Sequence, residues 1–212
     1  MKLQAVNSSI QNIGKRFNRE WIFRNVNLEF AIEDSVAILG GNGSGKSTLL
    51  QIISGYLTPS EGIVLWRLDG NEIAVENIHR HVSICAPYMQ VYEDLTLKEN
   101  VEFFCKFKKI RGALSAELFA SRIELEKQLD KPLKNFSSGM RQRVKLGLAI
   151  LAQSDLLLLD EPTSHLDSDA VKWFQKLLEE NAGDRIVFIA SNSNINEMGS
   201  CNSRIEIQNF KT

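Results

Sequence analysis

The chain is poor in cysteine and has no long apolar run, and these scarcities exclude several classes of protein. Its three cysteines, Cys85, Cys105 and Cys201, show neither C-x-x-C nor metal-ligand spacing. Such scattered thiols predict a reduced, cytosolic protein rather than one stabilised by disulfide bonds or by a structural zinc ion. No segment approaches the roughly 18 consecutive apolar residues of a membrane-spanning helix. The first ten residues lack the apolar core of a signal peptide, so none is expected here.

The chain also lacks an excess of either charge. It has 25 basic and 26 acidic residues, a formal net charge of −1, and no long run of like charge. Nucleic-acid-binding domains are usually strongly basic, so nucleic acid is not expected as a partner. Of its 212 residues 43% are hydrophobic, which is enough to bury a full core. We therefore expect a single domain over residues 1–212, with a helical subdomain at approximately 88–137.

The strongest positive signal is the segment 40–48, Gly-Gly-Asn-Gly-Ser-Gly-Lys-Ser-Thr, which fits the P-loop pattern G-x-x-x-x-G-K-[ST]. An apolar strand pattern precedes it at 35–39 and an apolar helical run follows at 48–53, which is the context that the motif needs. Glycine lets the backbone wrap closely around phosphate, and amides at a helix N-terminus attract anions. The predicted nucleotide-binding residues of this segment are Gly40, Gly41, Asn42, Gly43, Ser44, Gly45, Lys46, Ser47 and Thr48.

An acidic pair, Asp160 and Glu161, follows the apolar run 156–159. Open α/β sheets bind ligands at the carboxyl ends of their strands, where this pair is expected to lie. Asp160 is predicted to hold Mg²⁺ together with the Ser47 hydroxyl, and Glu161 to orient or deprotonate an attacking water. Lys46 would reach the β- and γ-phosphates, so Lys46 and Glu161 are the predicted catalytic residues. Taken alone, the pair is also consistent with a solvated strand end; the P-loop favours the functional interpretation.

Hydrophobic periodicity predicts an α/β fold, namely a P-loop NTPase core with a largely parallel central sheet. Continuous apolar runs at 156–159 and 186–190 indicate strands that are buried on both faces. Alternation over 1–32 predicts an N-terminal antiparallel β subdomain, and the patterns at 63–67 and 204–208 predict two further strands.

Elsewhere in the chain the apolar residues recur with the periodicity of a helix. Thr96 and Glu99 form a capping-box pattern, which predicts the start of a helix. Helices are predicted at 97–109, 115–130, 139–152 and 169–180, the first two in the small inserted subdomain. His79 and His81 alternate and are expected to share one face of a strand.

Over nearly its whole length the chain resembles the nucleotide-binding subunits of ABC transporters. Besides the P-loop and the acidic pair, Phe136-Ser-Ser-Gly-Met-Arg-Gln-Arg143 looks like a variant of the signature sequence of that family, L-S-G-G-Q. Ser164-His-Leu-Asp167 looks like its D-loop. The P-loop and the acidic pair would fit many NTPases, and the Ser-Ser-Gly sequence ahead of Asp-Glu-Pro-Thr narrows the resemblance to this family.

The resemblance implies an activity, cofactors and partners. These are ATP hydrolysis with ATP and Mg²⁺, a homodimer or heterodimer of ATP-binding subunits, and a separate integral membrane permease. The subunit would sit peripherally on the cytoplasmic face of the cell membrane. In a head-to-tail dimer, the signature residues Ser137, Ser138, Gly139 and Met140 would face the γ-phosphate of ATP held by the second copy.

The resemblance also assigns further residues. Asp167 would act in the D-loop, and Phe17, which lies 29 residues before Lys46, would stack on adenine. Trp21 is a second candidate for stacking.

Two positions depart from the family pattern. The family has a glutamine at the position of Pro87, whereas this chain has Gln90 three residues later. Gln90 would contact Mg²⁺ if the loop is reshaped, and is otherwise a solvated side chain. The second departure is Asn192, which takes the place of a histidine that touches the γ-phosphate. Asn192 would contact this phosphate or cap a turn, and Ser191 or Ser193 are alternatives for the contact.

Four functions compete on this pattern. The leading hypothesis is an ATP-hydrolysing motor subunit of a transporter. A soluble ABC-type ATPase is the second, and a weakly hydrolysing regulatory subunit, suggested by the two departures, is the third. A P-loop kinase would leave the signature sequence unexplained.

Overall fold

A parallel β-sheet carries both the P-loop and the acidic pair. The computed structural model describes residues 8–68, 71–192 and 201–211. In these residues the sheet has five strands, β3 (Ser35–Leu39), β7 (Val82–Cys85), β8 (Leu156–Asp160), β9 (Ile186–Ser191) and β10 (Ser203–Glu206). They lie side by side in the order β10-β3-β9-β8-β7.

The register of this sheet brings three strand ends together. Leu39 of β3 pairs with Ser191 of β9, and Asp160 of β8 pairs with Ala190. Because the strands are parallel, the segments that follow β3, β8 and β9 leave the sheet at one edge. The P-loop, Glu161 and Asn192 therefore start from neighbouring positions.

A second sheet is antiparallel and contains β1 (Ser8–Phe17), β2 (Glu20–Phe30) and β4 (Glu61–Leu65) in the order β2-β1-β4. Two short strands, β5 (Arg67–Leu68) and β6 (Asn71–Glu72), pair with each other. Strands β1 and β2 agree with the alternation over 1–32, of which residues 1–7 lie outside the described part of the chain.

The helices are α1 (Lys46–Ile53), α2 (Leu97–Cys105), α3 (Ala116–Arg122), α4 (Ser138–Ile150) and α5 (Ser168–Ala182). Short 3₁₀ turns lie at Val75–Arg80, Arg111–Ala113, Glu126–Gln128, Leu133–Asn135 and Ile207–Phe210. The predicted capping box is confirmed, since the Thr96 hydroxyl accepts from the Glu99 amide and the Glu99 carboxylate accepts from the Thr96 amide.

The parallel sheet is covered on both faces, as its continuous apolar runs predict. Leu158 and Phe188 belong to a core cluster with residues of α1 and of the antiparallel sheet. Leu157 and Val187 belong to another cluster, with residues of α2, α4 and α5. Successive strand residues point to opposite faces, so an apolar run supplies both clusters.

Two predicted helices are shorter in the structure than their periodicity suggests. α2 ends at Cys105, because Ile110 then pairs with Ala152 and the Arg111 amide donates to the Leu151 carbonyl. α3 ends at Arg122, where the chain turns through Glu124, at φ 58°. At the end of α2, contacts distant in sequence outweigh helical propensity, whereas α3 ends in a local turn.

Two strand predictions also need correction. His79 lies in the 3₁₀ turn and β7 starts only at Val82, so His79 and His81 do not share a strand face. Instead, His81 Nδ1 lies 2.7 Å from a carboxylate oxygen of Asp155. The strand predicted at 204–208 ends at Glu206, since the following 3₁₀ turn buries Ile207 completely.

Candidate functional site

A cavity of about 250 Å³ opens at the shared edge of the parallel sheet. It is lined by residues 42–48 of the P-loop, together with Ile22 of β2 and Glu161. Ile22 was not among the sequence-predicted site residues. Its only signal was its place in an alternating strand, and its contact with the P-loop depends on how the antiparallel sheet packs.

The glycines of the P-loop are required by its backbone path. Gly45 has φ 109°, and a Cβ there would lie 2.6 Å from the Ile22 Cγ2 atom. Gly43 has φ 70°, and a Cβ there would meet nothing within 4 Å. The loop is thus tightly packed at Gly45 and open at Gly43, and its backbone forms a cradle of the kind that holds phosphate.

Lys46 is the first residue of α1 and is only 4% exposed. Its Nζ donates to the Gly40 carbonyl at 2.9 Å, to the Gly41 carbonyl at 3.1 Å and to Asn192 Oδ1 at 2.5 Å. Glu161 Oε1 lies 3.9 Å from the same nitrogen. A positive charge is therefore fixed in the wall of the cavity, where it suits an anionic ligand.

Asn192 connects the P-loop to the acidic pair. Its Nδ2 donates to Asn42 Oδ1 at 2.5 Å and to Glu161 Oε1 at 3.0 Å. Glu161 itself has φ 48°, a left-handed conformation that is uncommon outside glycine. Its amide donates to the Ala190 carbonyl at 2.9 Å, which ties this turn to β9.

Asp160 is 2% exposed at the end of β8. Partial burial raises the pKa of Tyr88 and the negative charge of Asp160 raises it further, against the effect of a hydrogen bond with Gln51. The predicted metal contact Gln90 is exposed and is not part of the cavity lining.

The donors at this edge fit Mg²⁺ in its nucleotide complex. Ser47 lines the cavity, and the Asp160 carboxylate is buried at the end of β8, which is separated from β3 by β9. Mg²⁺ prefers such oxygen donors. Among the described residues no cluster of three His, Cys, Asp or Glu side chains suits a metal ion. An ion held here would complete its shell with phosphate and water oxygens.

The signature segment begins α4, away from the cavity lining. Ser137 is the N-cap, its Oγ accepting from the Met140 amide at 3.1 Å, and both Ser137 and Ser138 are exposed. A Cβ on Gly139 would lie 3.0 Å from the His165 carbonyl oxygen, so the signature helix approaches the predicted D-loop closely. Asp167 caps α5 by accepting from the Ala170 amide at 2.8 Å.

The two candidates for adenine stacking differ in their surroundings. Trp21 is covered by arginines, with the guanidinium carbon of Arg24 4.3 Å and that of Arg16 5.5 Å from its ring centre. Phe17 is 49% exposed at the end of β1, with Lys15 Nζ 5.1 Å from its ring centre. Phe17 thus has the freer ring, although neither side chain lines the cavity.

Comparison with known proteins decides the family. Residues 23–164, about two thirds of the chain, match the family described as ABC transporter. The chain belongs to the ABC transporter family. It is an ABC-type ATP-binding domain, and ATP hydrolysis is the activity of this family. The matched range contains the P-loop, the signature segment and the acidic pair.

Curated relatives of this ABC domain are longer proteins. It is 33% identical over 191 residues to the mouse ABC-type organic anion transporter ABCA8B, covering 86% of this chain and 12% of the relative. It is also 33% identical over 179 residues to the sulfate/thiosulfate import ATP-binding protein CysA of Synechocystis sp., covering 81% of this chain and 50% of the relative. The chain thus spans between about a tenth and a half of these relatives.

Solved structures show the same fold. A putative ABC transporter ATP-binding protein from Pyrococcus furiosus superposes with a TM-score of 0.81 at 20% identity, covering 97% of this chain and 100% of the other. A bacterial Atm1-family ABC exporter with ATP bound gives a TM-score of 0.78 at 19% identity, over 98% of this chain and 38% of the exporter. The predicted family and α/β fold are therefore confirmed. Within the part of the chain that the structure describes, no helix is long and apolar enough to cross a membrane.

Proposed function

We propose that this ABC domain is the ATP-hydrolysing motor of a transporter and drives a separate integral membrane permease. The observation that carries the proposal is the meeting of Lys46 and Glu161 in one P-loop cavity, with 3.9 Å between Nζ and Oε1. One fixed cation and one carboxylate at the end of a buried strand are the two groups that phosphoryl transfer to water requires of the protein.

Each site residue has a role in this proposal. The P-loop amides and Lys46 bind the β- and γ-phosphates, and Phe17 stacks on the adenine. Glu161 orients the attacking water and accepts its proton. Ser47 and Asp160 hold Mg²⁺, which neutralises phosphate charge when it is bound. Asn192 contacts both Lys46 and Glu161, so a contact of its amide with the outermost phosphate would require one of its hydrogens to leave Glu161 or Asn42.

The site is completed by a second ATP-binding subunit in this proposal. The exposed N-terminus of α4, with Ser137 as its cap, offers amides and a hydroxyl to an anion but does not line the cavity of its own chain. Head-to-tail pairing would place it against the phosphates held by the partner. The partner is a second copy of this chain or a related ABC subunit.

An exposed aromatic row supports docking to a permease at the membrane surface. Tyr92 and Phe103 have ring centres 4.8 Å apart, and Phe103 and Phe107 have centres 5.1 Å apart. Tyr92 is 57% exposed and Phe107 is 76% exposed. A contiguous exposed apolar patch of this kind is typical of a surface that contacts another protein. We propose that this row contacts the permease and that the domain is peripheral on the cytoplasmic face of the membrane. The permease then determines the cargo and its direction.

A second candidate function is favoured by a specific observation. Pro87 and Asn192 stand where the family has a glutamine and a histidine. Proline lacks the side-chain amide of glutamine, and asparagine cannot carry the charge of histidine. A regulatory domain that closes on ATP and hydrolyses it slowly would be consistent with both replacements.

Phosphate release from ATP with Mg²⁺ tests the proposal and separates the two candidates. The wild-type protein is expected to hydrolyse ATP, and Glu161→Gln to bind ATP while losing turnover by about 10²–10⁴-fold. Glu179→Gln, an exposed glutamate on α5, is the matched control and should keep the wild-type rate. Normal hydrolysis by the Glu161 variant would exclude the motor assignment, and slow wild-type hydrolysis with tight ATP binding would favour the regulatory domain.

A further inference from the structure

The ammonium group of Lys46 is fully hydrogen-bonded by the chain itself. A lysine has three N–H donors and no acceptor. Its three acceptors here are the carbonyls of Gly40 and Gly41 and the side-chain oxygen of Asn192, the last at 2.5 Å. A phosphate oxygen that takes a hydrogen bond from Lys46 must therefore replace one of these three.

The three acceptors differ in how easily they can move. The Gly40 and Gly41 carbonyls belong to the P-loop backbone, where the Ser44 amide also donates to the Gly41 carbonyl at 3.2 Å. Asn192 reaches Lys46 through a side chain, which can change rotamer without changing the loop. Asn192 is consequently the acceptor that a phosphate displaces.

The orientation of the Asn192 amide is fixed by its partners. Lys46 can only donate, so the oxygen must face it, and an ionised Glu161 can only accept, so the nitrogen must face the carboxylate. Both hydrogens of that nitrogen are used, one on Glu161 at 3.0 Å and one on Asn42 at 2.5 Å. The side chain thus joins the phosphate-binding lysine to the predicted catalytic carboxylate.

We propose that Asn192 competes with nucleotide phosphate for Lys46, and that this competition lowers the affinity of the site for ADP as well as for ATP. The proposal rests on the nucleotide site described above and goes beyond it, because a contact to the γ-phosphate concerns ATP alone. Binding of either nucleotide releases the oxygen of Asn192 from Lys46. The amide then remains attached to Glu161 and acts as its positioning group.

This exchange links nucleotide binding to the end of β9. Asn192 directly follows Ser191, which pairs with Leu39 immediately before the P-loop. Because Asn192 also contacts Glu161, a nucleotide that displaces it acts on the carboxylate before any chemistry takes place. Asn192 is therefore a positioning residue that contacts both Lys46 and Glu161 in the free chain and keeps only Glu161 when nucleotide is bound.

The affinity for ADP, measured by calorimetry with Mg²⁺, separates this competition from a phosphate contact. Asn192→Ala leaves only water to be displaced from Lys46, so we expect ADP to bind roughly 2- to 10-fold more tightly than to the wild type. Asn192→Ser has a shorter side chain that is expected not to reach Lys46, so it should also bind ADP more tightly than the wild type. It replaces the alanine variant in the experiment if that variant folds poorly. Asn27→Ala, on the antiparallel sheet, is the matched control and should leave the affinity unchanged.

The outcomes are distinct. ADP affinity that is unchanged or weaker in both Asn192 variants, with wild-type melting temperature, would overturn the competition. Weaker binding of ATP with unchanged binding of ADP would show instead that Asn192 is only a γ-phosphate ligand. A wild-type protein that binds neither nucleotide would reject the proposed function itself, which is a separate failure.

Discussion

Lys46 and Asn192 are 146 positions apart in the sequence, and their side chains meet in a hydrogen bond of 2.5 Å between Nζ and Oδ1. The contact joins the start of α1 to the end of β9. It exists because β3 and β9 are neighbours in the parallel sheet, so that the segments after them leave at the same edge. Two residues with no local relationship in the sequence thereby form one side of the phosphate cavity.

Replacing Lys46 should abolish tight nucleotide binding. Lys46→Ala removes the buried positive charge in the cavity wall, so we expect a loss of ATP affinity of roughly 10-fold or more and a comparable or larger loss of turnover. Calorimetry with ATP and Mg²⁺ measures the first and phosphate release the second. Lys176→Ala, at an exposed position on α5, controls for the loss of a lysine. Equal affinity in the two variants would contradict the assignment of the P-loop.

The signature helix offers a test that leaves the cavity itself intact. Gly139→Ala places a Cβ 3.0 Å from the His165 carbonyl oxygen, so α4 and the segment between β8 and α5 must move slightly apart. We expect hydrolysis to fall roughly 10- to 100-fold, because small displacements of catalytic groups are costly, while ATP affinity of the single chain is retained. Gly183→Ala is the matched control, since a Cβ there meets nothing within 4 Å. A wild-type rate for Gly139→Ala would argue against a role of this contact.

The central sheet should depend on its apolar runs for stability. Leu158→Ala removes a side chain that is 0% exposed, and we expect a loss of about 2–5 kcal/mol in the free energy of unfolding. Leu118→Ala, at a leucine that is 56% exposed on α3, should change it by less than about 0.5 kcal/mol. Urea unfolding compares the two. Equal losses would mean that the sheet is not the main core.

Lys108 should give the protein a pH-dependent stability. Burial lowers its pKa from 10.5 to about 8, opposed by the nearby Asp155, while its Nζ donates to the Val82 and His79 carbonyls. Between about pH 8 and pH 10.5, Lys108 is protonated in the unfolded chain and deprotonated in the folded chain. The free energy of unfolding therefore rises with pH over this range.

Lys108→Met removes this titration, so the wild type should gain stability relative to the variant from about pH 8 to 10.5. Denaturant unfolding across that range measures the difference. Lys109→Met, at an exposed neighbour, should run parallel to the wild type. A constant difference between wild type and Lys108→Met would contradict the lowered pKa.

Local patterns in the sequence were enough for several features. The P-loop, the acidic pair after β8, the capping box at Thr96 and the buried runs of the sheet are each encoded in fewer than about a dozen consecutive residues. Each of these features depends on neighbouring residues: the P-loop on the conformations of glycine, the capping box on two reciprocal hydrogen bonds, and the strands on side chains that alternate between the two faces of the sheet. The family resemblance followed from the order of these motifs.

Only the tertiary structure decided which distant residues meet. Sequence spacing does not reveal that Asn192 bonds Lys46 and Glu161, or that Ile22 packs against Gly45. The end of α2 was likewise set by contacts distant in sequence, with residues 151 and 152. The reason is physical: a cavity between strand ends depends on the order of strands in the sheet, and that order is fixed by the burial of both of its faces rather than by any local propensity.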